Sequence, residues 1–312
     1  MKKSIIVGLV FVMVLLFALS GTVSAADDQI VVGYVCKDIN DTFMNYLIEE
    51  AQKYADEFGI TLQVVDAQND VVKQQDQVEA FITQKVDAVI VLPIDSSACE
   101  PMTEAAVKAN IPLVYVNTSP YPDGNFPEGT YYVGSVEKEA GEMQAEYIAS
   151  KIKDDGKIVI LQGSLGHEGA LKRTDGVIEK MAELKPNVVV LDKLPGNWQK
   201  DQGMTLVENW LTKYNNDIDA VFANNDEMAL GAINALSDIG KTDCLVAGID
   251  GTKDGIAAVK AGTMTCSVLQ DAHGQGYGAM EIVHKIVKGE EVEQVTWVPF
   301  KLINIDNVSD FE

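Results

Sequence analysis

The sequence predicts an α/β protein made of two similar, doubly wound parallel-sheet lobes joined by a multi-segment hinge. Three observations predict it. Short apolar runs alternate with amphipathic segments from Gln29 onward, the runs are rich in Val and Ile with little polar alternation, and the pattern of the first half returns in the second. Strands that do not alternate are buried on both faces, as in a parallel sheet covered by helices. Strand, helix and strand in repetition give the doubly wound arrangement.

In chain order, the first 25 residues read as a cleaved signal peptide. Lys2 and Lys3 precede an apolar run from Ile5 to Leu19, and Val23-Ser24-Ala25 offers small residues for cleavage before Asp27 and Asp28. That run is short for a membrane span, and no later stretch approaches the roughly 20 apolar residues that one needs. No cysteine follows it to carry a lipid. The expected location is the periplasm.

The predicted strands of the first half are Ile30–Val35, Leu62–Val65, Ala88–Leu92, Leu113–Val116 and Tyr131–Val133. Those of the second are Ile158–Leu161, Val188–Leu191, Ala220–Ala223, Leu245–Ile249 and Cys266–Leu269. Apolar residues at helical spacing lie between them, as in Phe43-Met44, Leu47-Ile48, Ala51, Tyr54-Ala55 and Phe58, where Gly59 supplies a stop. Val86-Asp87-Ala88-Val89-Ile90-Val91 and Ile218-Asp219-Ala220-Val221-Phe222-Ala223 echo one another, each followed by a helix and a strand. Two five-stranded lobes are therefore expected. Without a Pro-, Gly- or Ser-rich linker, they are joined by short crossings near Gly134-Ser135 and Asp271. The expected division is residues 26–135 plus 272–299 and residues 136–271 plus 300–312.

Charge and motif exclude several functions. A net charge of −23, from 24 basic and 47 acidic residues, repels nucleic-acid phosphates and anionic membrane surfaces. Cys36, Cys99, Cys244 and Cys266 match no metal-site spacing, and with three His in the chain no zinc site is expected. Cys244 and Cys266 each begin an apolar run; they are read as buried thiols, with a disulfide as the alternative if their strands are neighbours. No G-x-G-x-x-G follows a strand and no phosphate-binding P-loop is present. Gly163-Ser164-Leu165-Gly166 lacks the spacing of a nucleophile elbow. The chain is not expected to be an enzyme, and no cofactor is expected.

The informative chemistry follows the strands. Asp38 to Phe43, Asp66 to Asn69, Asn117, Gln162-Gly163-Ser164, Asn224-Asn225-Asp226, Asp250 and Gln270 all close predicted strands. Ligands of open α/β sheets bind at these carboxyl ends. Carboxylates accept from sugar hydroxyls while amides, His and Arg donate back, which suits a polyol. Asp and Asn also start helices as N-caps, and that reading is preferred for Asp66, Asp95 and Asp226. Phe43 and Trp198, both in polar loop contexts, are read as flat faces for the C–H sides of a ring, with core packing as the alternative.

The residues Asn40-Asp41-Thr42-Phe43-Met44, Ile111 to Asn117, Ala223 to Ala232, Gly248-Ile249-Asp250-Gly251 and Val268-Leu269-Gln270-Asp271 resemble those of the bacterial periplasmic sugar-binding proteins of ABC importers. These are the ribose, galactose/glucose and inositol (rhizopine) binders, with the type I periplasmic binding protein fold. The resemblance spans essentially the whole chain after the signal peptide. It implies that Asp41 accepts from a hydroxyl, Phe43 and Trp198 stack on the ligand, and Asn117, His167 and Arg173 donate. Asn225, Asp250 and Gln270 would complete the ring of hydrogen bonds. His273 and His284 have no role in it. Gly169 stands where galactose/glucose binders carry Asp, and Asn117-Thr118 where ribose binders carry Asp-Arg. Lys153 to Lys157 is too short for the calcium loop of galactose/glucose binders. Asn197 to Met204, Asn209-Trp210-Leu211 and Val298-Pro299-Phe300 are most similar to inositol-type binders, so the expected ligand is a cyclitol such as myo-inositol ahead of an aldohexose. The resemblance also implies a monomer, an inner-membrane ABC permease as partner, and as an alternative a chemoreceptor or sensor kinase.

Overall fold

The structure, a computed structural model, describes residues 29–121 and 124–311. The signal peptide read over residues 1–25 lies outside the described residues. The first lobe is built from β1 (Val31–Cys36), α1 (Thr42–Phe58), β2 (Thr61–Asp66), α2 (Val71–Gln84), β3 (Ala88–Val91), α3 (Glu100–Ala109), β4 (Leu113–Asn117) and β5 (Thr130–Gly134). The second lobe follows with α4 (Glu137–Ala149), β6 (Lys157–Gln162), α5 (Glu168–Leu184), β7 (Val189–Pro195), α6 (Lys200–Lys213), β8 (Ala220–Ala223), α7 (Asp226–Asp238), β9 (Leu245–Ala247), α8 (Lys253–Lys260) and β10 (Cys266–Leu269). The chain then returns to the first lobe with α9 (Gly278–Val287) and β11 (Val295–Trp297), and ends in the second with β12 (Lys301–Asn304).

Each lobe carries a six-stranded sheet, in the orders β11-β5-β4-β3-β1-β2 and β12-β10-β9-β8-β6-β7. The two share one doubly wound topology, parallel throughout except for the β10–β12 pair. The expectation of five strands per lobe is corrected by β11 and β12. These are edge strands of three and four residues with mixed polarity, too short for the buried-strand signature. Strand β9 also ends earlier than expected, because the Ile249 carbonyl turns to accept from Asp226 N–H at 2.6 Å.

The apolar runs fill the sheets. Val32, Tyr34, Ile90 and Val114 pack under α1 and α9 on one face, and Val35, Val89, Val91 and Tyr115 under α2 and α3 on the other. In the second lobe Val159, Leu161 and Val221 lie beneath α6 and α7, and Ile158, Ile160 and Phe222 beneath α4 and α5. Helix α1 stops at Gly59, whose φ of 68° puts it in the left-handed region. Asp95 caps a 3₁₀ turn by accepting from Ser97 N–H, as expected of a cap. Asp66 does not cap a helix: it accepts from Ile39 N–H and Gln68 N–H, and Asp70 caps α2. All four cysteines are free, and Cys36, Cys99 and Cys266 are buried.

Three chain crossings join the lobes: Gly134 to Glu137, residues 270–272, and Trp297 to Lys301. The second opens into a π-helical turn, His273–Tyr277, packed so closely on α1 that a Cβ on Gly276 would meet Leu47 O at 2.4 Å. The crossings are hydrogen-bonded to one another. Ser135 Oγ donates to Val298 O at 2.7 Å, and Gln275 Nε2 donates to Ser135 Oγ at 3.1 Å.

In the second lobe α4 and α5 meet backbone to backbone. A Cβ on Gly141 would lie 2.0 Å from Arg173 O, and one on Gly176 2.4 Å from Lys138 O. This approach brings Glu137 and Arg173 together. Gly141→Ala is expected to cost about 1–3 kcal/mol through overpacking, read as a lower midpoint in thermal or urea unfolding. An unchanged midpoint would show that the helices part without penalty.

Candidate ligand-binding site

The carboxyl ends of both sheets face a common cleft. Asp41, Phe43, Asn117, His167, Arg173, Trp198, Asn225, Asp250 and Gln270 line one cavity there, together with Lys37 and Met44. Counted out to its mouth and including open solvent, the space is about 260 Å³. The first lobe contributes Lys37, Asp41, Phe43, Met44 and Asn117; the rest come from the second.

Each side chain is fixed by its element. Asp41 caps α1 through Oδ1, which accepts from Phe43 N–H at 3.0 Å, while Oδ2 lies 3.4 Å from Lys37 Nζ. Asn117 ends β4 with a φ of 71° and donates through Nδ2 to Gln275 Oε1 at 3.2 Å. Asn225 caps α7, accepting from Met228 N–H, and donates to Trp198 O at 3.1 Å. Asn197 and Trp198 both have positive φ, 52° and 67°, costly for a bulky residue and usual where function fixes a side chain. The indole lies directly on Gly163, where any Cβ would stand about 2.0 Å from the ring. The His167 ring meets Trp198 edge-on at 5.0 Å between centroids.

Arg173 organises the second lobe's wall. Its Nε donates to Glu137 Oε2 at 2.5 Å, Nη1 to Asn224 O at 2.7 Å, and Nη2 to Gln270 Oε1 at 2.9 Å. Asp250 Oδ1 stands 3.8 Å from Nη1. Gln270 is thereby turned so that Nε2, buried and without a protein partner, remains a donor for whatever occupies the cavity.

The lobes also touch directly. Thr42 Oγ1 donates to Glu227 Oε1 at 3.0 Å, Thr118 Oγ1 pairs with His167 Nε2 at 2.8 Å, and Ser119 N–H donates to Glu168 Oε2 at 3.2 Å. Among the described residues no group of three or more His, Cys, Asp or Glu is placed to hold a metal ion.

A family model described as a periplasmic binding protein domain matches residues 32–291. The chain belongs to that family. It is 38% identical over 294 residues to a protein of Rhizobium meliloti provisionally named for rhizopine binding, covering 93% of this chain and 95% of that one. It is 34% identical over 287 residues to the ribose import binding protein of Salmonella typhimurium, covering 92% and 95%. A solved ABC transporter solute binding protein from Bacillus halodurans with bound myo-inositol superposes with a TM-score of 0.84 at 35% identity, covering 91% and 97% of the two chains.

As in other binding proteins of this family, two lobes frame the cavity, and its electrostatics can be followed residue by residue. Burial, with Lys37 and Arg173 nearby, holds His167 well below its ordinary pKa, so the ring is neutral. Its Nδ1 accepts from Gly169 N–H at 3.1 Å, which places the proton on Nε2 toward Thr118. Both nitrogens are engaged, so His167 borders the cavity with its ring. Burial lowers Arg173, but Glu137 and Asp250 outweigh it and keep the guanidinium charged. Burial raises Asp250 well above the carboxylate range; Arg173 opposes the rise, and Asp226 and Asp41 add to it. Lys37, only 5% exposed, was not anticipated. Its ammonium lies 5.3 Å from the Trp198 ring centroid across the cleft. The available signal was the length of β1, which runs one residue beyond the expected Val35 and puts Lys37 at the cleft. The expectation that Asp226 is a cap is corrected, since its carboxylate accepts from Ser267 Oγ and Thr252 N–H.

Burial and the neighbouring Glu137 push Glu168 up to about 7, against the lowering by Ser119 N–H. Its ionised form is therefore disfavoured in the folded chain. The penalty is absent below its ordinary pKa, grows as pH rises, and is complete above about 7, on the order of 3 kcal/mol. Glu168→Gln, which keeps an acceptor for Ser119 N–H, should gain stability relative to wild type as pH rises from 5 to 8. Parallel curves of melting temperature against pH for the two proteins would contradict this.

Proposed function

We propose that this chain is the solute-binding component of an ABC importer, capturing one neutral cyclic polyol or monosaccharide between its lobes. An inositol-like ring is preferred to an aldohexose. The single observation that carries the reading is the composition of the cavity wall. Phe43 and Trp198 border the cavity with aromatic rings, and amides, carboxylates and cations make up most of the remaining lining. Lys37 is paired with Asp41 and Arg173 with Glu137, which favours a ligand without net charge. In this reading Asp41 and Asp250 accept from hydroxyls. Lys37, Asn117, Arg173, Asn225 and Gln270 donate, and His167 supports Trp198. The preference for a cyclitol is supported by the myo-inositol bound to the Bacillus halodurans protein and by the rhizopine name of the Rhizobium relative.

Hinge closure is the established behaviour of periplasmic binding proteins. A ligand stabilises the closed form only through contacts made to both lobes at once. Here Lys37, Asp41 and Asn117 stand opposite Arg173, Asn225 and Asp250. The lobes are read as residues 26–135 plus 272–299 and residues 136–271 plus 300–312. Residues 1–25 support export to the periplasm as a cleaved signal. A membrane permease would then read the closed pair of lobes of a monomer.

The test is calorimetry and thermal shift of the mature chain against myo-inositol, galactose, glucose, ribose and xylose. A ligand held at about 100 times its Kd adds about 2.7 kcal/mol of stability, so one of the five should raise the midpoint clearly. No response to any of them would sink the reading. Asp250→Ala is expected to weaken binding by about 1–3 kcal/mol through loss of a buried hydrogen-bond partner. Trp198→Ala should weaken it while leaving the unliganded midpoint nearly unchanged, and a large drop in that midpoint would place the indole in the core.

A further inference from the structure

Asp250 is held in a conformation that an aspartate rarely adopts. Its φ is 121°, and Gly251 follows at 67°. Non-glycine residues at such angles are strained and persist only where the surroundings over-determine them. Asp250's own backbone is anchored to β10, its N–H donating to Val268 O at 2.9 Å and its carbonyl accepting from Gln270 N–H at 3.1 Å, and the rest of the constraint comes from one residue on another element. Asp226, in the first turn of α7, is 0% exposed, and its carboxylate lines no part of the cavity. Its Oδ2 accepts from Thr252 N–H at 2.8 Å and from Thr252 Oγ1 at 3.2 Å, while Oδ1 accepts from Ser267 Oγ at 2.6 Å. Ser267 Oγ in turn accepts from Gly251 N–H at 3.3 Å. On the other side of the turn, Asp226 N–H donates to Ile249 O at 2.6 Å. Residues 249, 251 and 252 are thus all tied to Asp226, directly or through Ser267, and residue 250 is caught between them.

The packing around this carboxylate is equally specific. A Cβ on Gly248 or on Gly255 would meet an Asp226 carboxylate oxygen at 2.2 Å. The turn and the start of α8 therefore close onto Asp226 with no room for a side chain.

We propose that Asp226 is the positioning residue for Asp250: a buried carboxylate that never meets the ligand but sets the angle at which Asp250 enters the cavity. The inference rests on Asp250 being a ligand contact. It assigns to Asp226, which follows β8, a role distinct from capping, and it accounts for the two glycines that flank the turn. Burial raises Asp226 to about 7, and the hydroxyl and amide donors oppose that rise. The donors around it are what an ionised carboxylate requires.

The test uses Asp226→Ala and, as a milder change, Ser267→Ala, each alone and combined with Asp250→Ala. Affinity is measured for whichever of myo-inositol, galactose, glucose, ribose or xylose binds the wild type most tightly. Asp226→Ala should weaken binding at least tenfold and Ser267→Ala at least threefold. In the Asp250→Ala background either change should alter affinity less than twofold, since the residue being positioned is gone. An equal loss in both backgrounds would mean a general structural role and overturn the inference. Should Asp226→Ala fail to fold, the Ser267→Ala pair decides by the same comparison. Crystal structures of the two variants give a readout independent of any ligand. Asp250 and Gly251 should depart from their positive-φ conformations, and an Asp250 left in place would overturn the inference. A wild type that binds none of the five compounds strikes the reading of the cavity, while the position of Asp250 in those crystals still decides this one.

Discussion

A guanidinium shut away from water governs the second lobe. Arg173 gathers Glu137 from α4, the Asn224 carbonyl at the end of β8, Gln270 at the end of β10 and Asp250 after β9. A buried charge is tolerated only with partners that satisfy it. Removing this one would leave the Glu137 carboxylate buried without its counter-charge. Four separate segments are therefore held at fixed distances from a single group, and the wall they form is rigid before any ligand arrives. Preorganisation of this kind spares a ligand the entropy of ordering its contacts. The close approach of α4 to α5 at Gly141 and Gly176 makes the arrangement possible, because a bulkier seam would move Glu137 away.

The first lobe is built differently. Its polar groups sit at element ends and are held by their own helices and loops, as with Asp41 at the start of α1 and Asn117 at the end of β4. Lys37 is the exception, since its ammonium reaches across the cleft toward Trp198. The direct hydrogen bonds between lobes run from Thr42, Thr118 and Ser119 to Glu227, His167 and Glu168. Of these six residues only His167 lines the cavity.

Most of the strands could be read from residues such as Val89-Ile90-Val91 and Val159-Ile160-Leu161, because a strand covered on both faces has no polar alternation to confuse it. Strands β11 and β12 escaped that reading because edge strands of three or four residues bury too little to leave a pattern. In the cleft, the choice between helix cap and cavity lining was posed as an alternative. Geometry allows both at once. Asn225 and Asp41 cap their helices with one oxygen and turn the remaining polar atom elsewhere, since helix N-termini in a doubly wound fold open onto the ligand face. Asp226 could not be resolved this way. Its partners, Thr252 and Ser267, lie 26 and 41 residues away, and only the fold brings them together. Lys37 was hidden by a single residue of strand length, and charge alone gave no reason to look for it.

The side chains that bind the crossings to one another limit how the two halves can move. Ser135, Gln275 and Val298 come from three separate passages of the chain, yet a buried hydroxyl and a buried amide join them. Bending one passage alone would strip a partner from a group that has no water to replace it, at about 1–3 kcal/mol. The cheapest motion is a swing about a single axis that carries all three together, with twist and slide between the halves suppressed. Because Asn117 holds the far end of the same amide, the pivot and the pocket share one mechanical linkage.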